Sequence, residues 1–194
     1  MKIKKKNFDF SVHLKIFLKF LNQKELTDIS KKIINRISLQ KKKKGSVFFF
    51  GNGGSHSTAA HASLDLNKNV GIRSMNFNDP SLLTAFANDY GFENSLKKIL
   101  DFYCTKKDIV ILISVSGNSK NLVNVVKYCQ KKKIEVITFT GYSKKNKLIN
   151  LNKNGLNFFV QHKGYNIVEC IHSIYILSII DALIGKSVYK IKNK

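Results

Sequence analysis

Val47-Phe48-Phe49-Phe50-Gly51-Asn52-Gly53-Gly54-Ser55 decides how this chain is read. Four consecutive β-branched and aromatic residues make a short strand of the kind buried on both faces, and Gly51 stops it. The helical pattern that follows over residues 57–66 makes the glycine-rich turn a strand-to-helix junction. Glycines let backbone approach a ligand closely and adopt positive φ. A helix start adds free amide donors and a partial positive charge, which together suit an anion. The turn lacks the Gly-Lys-Ser/Thr of a Walker loop and the GxGxxG spacing of a dinucleotide loop. Taken alone, it reads equally as a tight turn capped by Ser55.

The arrangement recurs. An uninterrupted apolar run over 109–113 ends in Ser114-Val115-Ser116-Gly117-Asn118-Ser119, and Leu122, Val125, Val126 and Cys129 then mark one face of a helix. Three hydroxyls around one glycine at a helix start form a neutral donor cluster suited to phosphate. A capped turn is the alternative here too, but two such turns at two strand ends are harder to ascribe to chance than one.

Working outward, apolar residues at helical spacing (Leu14, Phe17, Leu18, Leu21, then Ile29, Ile33, Ile34, Ile37) predict two helices ahead of the first strand, ended by lysines 41–44 and Gly45. Further strands are expected over 73–77, 136–139 and 156–160, with helices from Pro80, over 96–103 and along the C-terminal end. Apolar strands alternating with helices are the sequence form of a parallel sheet covered on both faces, and such sheets bind ligands beyond the carboxyl ends of their strands. One domain is expected over 1–194: a helical arm at 1–45, then an α/β core with its C-terminal helix at 46–188.

Of 194 residues, 43% are hydrophobic and Pro80 is the single proline, which excludes a disordered chain and offers no linker. The net charge of +22 raises nucleic acid as a partner. However, nearly all the cations are lysines scattered along the chain, with arginine only at Arg36 and Arg73, and specific base readout favours arginine. No specific nucleic-acid partner is expected; a cationic surface still attracts small anions. Cys104, Cys129 and Cys170 match no metal or redox spacing and are expected as buried free thiols in a reducing, cytoplasmic setting. The basic start, residues 1–6, leads into a stretch carrying His13, Lys15 and Lys19, which is not the pattern of a signal peptide. The apolar segment 167–184 contains Glu169, His172 and Asp181, so it is expected to be a buried helix rather than a membrane span.

The two serine- and glycine-rich turns, His61 in the helix after the first, and Asn88-Asp89-Tyr90-Gly91-Phe92 between them resemble the sugar isomerase (SIS) domain family over residues 8–184. Within it, the chain is most similar to phosphoheptose isomerases, which interconvert sedoheptulose 7-phosphate and a mannoheptose 7-phosphate for surface-polysaccharide synthesis. The resemblance implies a five-stranded parallel sheet flanked by helices in a flavodoxin-like three-layer sandwich. It implies a homotetramer whose terminal helices pack between subunits, with active sites at the interfaces and no membrane partner. It places Asn52, Gly53, Ser55, Asp89, Ser114, Ser116 and Ser119 against the sugar phosphate. It makes His61 a zinc ligand, Asp65 (in place of a glutamate) a ligand and base, and Glu169 (in place of a glutamine) a further ligand.

This chain departs from the family pattern at Leu177, where the resemblance calls for a histidine, and at Val115 in place of a threonine. Leucine neither binds zinc nor moves a proton, so the zinc set is incomplete. Aldose–ketose isomerisation needs a base for the proton beside the carbonyl and a group that stabilises the enediolate. His61 and Asp65, four apart, share a helix face and form a candidate pair, with Glu169 as a second carboxylate. Two functions stay open on these residues: an isomerase of a heptose or related sugar phosphate, and a non-catalytic sugar-phosphate-binding protein on the same fold.

Overall fold

A computed structural model describes residues 9–185 of the chain; residues 1–6 of the basic start and 186–188 of the expected core lie outside the described residues. Helices α1 (Phe10–Leu21) and α2 (Lys24–Lys43) lead into β1 (Val47–Gly51), α3 (Gly54–Asp65), β2 (Ser74–Met75), α4 (Pro80–Tyr90) and α5 (Phe92–Tyr103). Then come β3 (Ile109–Ser114), α6 (Lys120–Lys132), β4 (Glu135–Gly141), α7 (Lys147–Leu151), β5 (Leu156–Val160) and α8 (Tyr165–Ile184). The sheet has five strands in the order β2-β1-β3-β4-β5, and every pairing is parallel.

Alternation along the strands builds three layers. Val47, Phe49, Ile109 and Ile111 face a core shared with α2, α3 and α8; Phe48, Phe50, Val110 and Leu112 face one shared with α5, α6 and α7. Burying each such phenylalanine contributes about 2 kcal/mol, and β1 carries three of them in succession.

Chain order reverses direction between β1 and β3, the pair at the centre of this topology. Gly51 pairs with Ile113, so the two strands end within one residue of each other. In sheets of this order, the crevice at that reversal is where ligands bind.

Three expectations need correction. The strand expected over 73–77 is only Ser74–Met75. Val47 N–H still donates to the Arg73 carbonyl, but the Asn76 side chain, not a backbone amide, donates to the Phe49 carbonyl and ends the ladder. The short helix α7 is absent from the sequence reading, because five residues capped by Asn146 carry too little apolar periodicity to register. Cys170 is exposed, whereas Cys129 is buried and Cys104 partly so. It sits on the side of α8 turned away from the sheet, which carries apolar residues as well. The α8 helix is long and apolar enough to cross a membrane, yet eight of its residues are buried against the sheet and its neighbours.

Candidate functional site

Both turns leave adjacent strand tips and open on the same end of the sheet. The first runs into α3, whose cap residue is Gly53 and which has no side-chain cap. Ser55 therefore is not a cap: it is buried in the first turn, and its hydroxyl donates to Glu169 Oε1 at 3.3 Å. The second turn enters α6 through Ser119, again with no side-chain cap bond. Uncapped helix starts leave backbone N–H groups available to an anion.

The second turn is held from beneath. Ser114 Oγ accepts from Gly117 N–H at 3.2 Å and lies 3.4 Å from Ser119 Oγ, while Ser116 Oγ accepts from Asn118 N–H. Gly117 has a φ of +63° and packs on the Asn146 side chain; a Cβ there would sit 2.3 Å from Asn146 Oδ1. Leu148 N–H donates to the Gly117 carbonyl and Lys147 N–H to Asn118 Oδ1, so α7 supports this turn.

Across the strand ends, the Asn52 and Asn121 side chains exchange two hydrogen bonds, of 3.1 and 2.9 Å. A cleft of about 300 Å³ opens beside them, lined by Asn52, Gly53, His56, Leu83, Ser95 and Asn121 among others. His56 and Asn121 were not among the expected residues. His56 belongs to no recognisable motif; Asn121 stands out only as a polar residue opening an apolar helix face.

The remaining candidates lie apart. Asp89 is exposed at the C-terminal end of α4, where its neighbour Asn88 donates to it, and it does not line the cleft. His61 Nε2 and Asp65 Oδ2 are 3.3 Å apart at the far end of α3, and Asp65 Oδ1 also accepts from Asn69. The helix widens into a π-type turn over Leu66–Val70 directly after Asp65, a local irregularity frequent at functional sites.

Glu169 lies at the opposite end of α3: a Cβ on Gly54 would be 2.5 Å from its Oε2. Ten residues of helix separate Ser55 from Asp65, about 15 Å at the standard rise. The three expected zinc ligands therefore do not converge within one chain, and among the described residues no group of three His, Cys, Asp or Glu side chains is placed to hold a metal ion. One pair of donors does not fit zinc's requirement for at least three protein ligands. Leu177, where the resemblance calls for a histidine, is half-buried and packs against the apolar cluster of α8 and the sheet.

His172, one turn after Glu169 on α8, is fully enclosed between Phe139 and Phe158 and bonds the Thr140 carbonyl through Nε2 at 3.1 Å. Burial lowers its pKa from 6.5 to about 4, so it is a neutral core residue. Tyr175 donates to the Phe20 carbonyl at 2.8 Å, which ties α8 to the end of α1.

A parallel sheet in this order, with uncapped helix starts at its reversal point, defines an α/β domain whose strand ends suit an anionic ligand. The SIS domain sequence profile matches residues 13–141, and the chain belongs to that family. A phosphoheptose isomerase of Buchnera aphidicola subsp. Acyrthosiphon pisum (strain Tuc7) is 31% identical over 188 residues, covering 94% of this chain and 95% of the relative. The phosphoheptose isomerase of Neisseria gonorrhoeae has the same fold, with a TM-score of 0.82 at 24% identity over 90% of this chain and 96% of the other. A phosphoheptose isomerase from Francisella tularensis superposes with a TM-score of 0.81 at 21% identity, covering 91% and 95%.

Proposed function

We propose that this protein is an aldose–ketose isomerase of a seven-carbon sugar phosphate. In this reading it converts sedoheptulose 7-phosphate to D-glycero-D-mannoheptose 7-phosphate for surface-polysaccharide heptose, in the cytoplasm and as a homotetramer. The observation that carries the reading is the pair of uncapped helix starts side by side at β1 and β3, the second lined by hydroxyls. The near-complete match to a relative named phosphoheptose isomerase supports the choice of reaction.

The phosphate sits on the helix-start amides and on the hydroxyls of Ser114, Ser116 and Ser119, anchoring one end of the substrate. At the other end, a carboxylate takes a proton from C1 of the ketose and the enediol forms; the proton returns to C2 as the aldehyde appears at C1. Asp65 is the base, and His61, 3.3 Å away, exchanges the proton with it. Glu169, bonded to Ser55, orients the start of α3. No step is assigned to zinc, because one chain does not gather the ligands.

Leu177 favours a second reading, in which the protein binds the sugar phosphate without turning it over. Both readings predict that sedoheptulose 7-phosphate protects the protein against thermal unfolding. Only the first predicts an aldose product, measured with and without added zinc on protein of known metal content. Protection without product supports the second reading, and no protection at all sinks both.

A further inference from the structure

Asn121 has no part in the expected set, yet it is the polar group that joins the two turns. It is the second residue of α6 and is 1% exposed. Its Oδ1 accepts from Leu122 N–H at 3.0 Å and from Asn52 Nδ2 at 3.1 Å, while its Nδ2 donates to Asn52 Oδ1 at 2.9 Å. The Leu122 bond fixes which way the Asn121 amide faces, and so fixes how it meets Asn52. Around this pair the layer is apolar: Phe50, Leu96 and Leu122 are buried beside it. Asn121 is buried and Asn52 half-buried, so the pair costs some desolvation, and an apolar pair of the same shape would be about as stable. What an apolar pair would not supply is a fixed orientation of Asn52, whose turn carries the start of α3.

We propose that Asn121 is a positioning residue: its two-way bond with Asn52 sets how the first turn stands against the start of α6, and so how the helix-start amides of the two turns are presented to an anion. The proposal rests on the sugar-phosphate reading of those two turns.

The experiment is a double-mutant cycle on affinity for sedoheptulose 7-phosphate, measured by calorimetry on the full chain. Asn52→Ala and Asn121→Ala are each expected to weaken binding on the order of tenfold, the loss of about one well-made hydrogen-bonded contact. The double variant is expected to bind no more weakly than Asn52→Ala, because Asn121 acts through Asn52. Asn121→Asp keeps the shape and the bond from Leu122 but sets oxygen against Asn52 Oδ1. It is expected to weaken binding while the protein stays folded, which guards against an alanine variant that fails to fold. Losses that multiply in the double variant, or an unchanged affinity in Asn121→Asp, overturn the proposal. A wild-type protein that binds no sugar phosphate removes the site reading, and the positioning role with it. Coupling between the two residues in urea unfolding then still reports whether the clasp itself exists, so the two failures are told apart.

Discussion

At the scale of single residues, the second turn depends on a glycine for two separate reasons. Gly117 needs positive φ, and it lies against Asn146 with no room for a side chain. Gly71, with φ +72° and ψ +29°, shares only the first condition, since nothing lies within 4 Å of where its Cβ would be. Left-handed backbone costs an L-residue about 1 kcal/mol. Gly71→Ala should therefore lose about that much, some 2–4 °C of melting temperature for a chain of this length. Gly117→Ala should lose clearly more, and should lose sugar-phosphate protection as well, because Asn146 must move and α7 with it. Equal melting-temperature losses in the two variants would show that Asn146 yields freely. The glycine itself was legible in the sequence as part of a serine-rich turn. Its crowding by Asn146 was not, because that contact joins residues 29 apart through the placement of α7.

Among the elements, the buried strands were the most legible. Residues 47–50 and 109–113 are apolar throughout because both faces of each strand are covered, and such a run has few other uses. The second strand was overestimated because a side chain, Asn76, completes its bonding where backbone pairing was expected. The candidate metal ligands are not gathered within one chain, for a different reason. A motif records that His61, Asp65 and Glu169 are present, but not that Glu169 packs on the first turn of α3 while Asp65 closes the last.

The same helix that holds Glu169 carries a pH dependence through His172. Its folded pKa is lowered to about 4 from an ordinary 6.5, by burial first and against the opposing effect of the Thr140 carbonyl. Between those values the unfolded chain binds a proton that the folded chain refuses. Stability is thus complete above pH 6.5 and falls as the pH drops towards 4, by about 3 kcal/mol in all. Urea unfolding over this range should show a slope larger by one proton in the wild type than in His172→Leu. Parallel curves for the two proteins would place the imidazole in contact with water.

On the scale of the whole molecule, the described residues of a single chain leave apolar side chains of two helices open to solvent. Leu14, Leu18 and Leu21 of α1 are exposed along one side of the helix, and α8 exposes Ile174 and Cys170 beside half-buried Leu177. Apolar side chains gathered on one helix face in this way mark an interaction surface. A second copy would cover it, and would also bear on the divided site, since one chain leaves His61 about 9 Å and Asp65 about 15 Å along α3 from Ser55.

Light scattering should therefore give a mass that is a multiple of the 22.1 kDa chain, and Leu14→Glu with Leu18→Glu should reduce it. If one site draws its turns from one copy and its proton-transfer pair from another, Ser116→Ala and His61→Ala should each be nearly inactive alone. Unfolded together and refolded as a mixture, they should regain activity, because some assemblies then hold one site with both parts intact. A mixture as inactive as its components, in protein that still assembles, would put both parts of each site in the same chain.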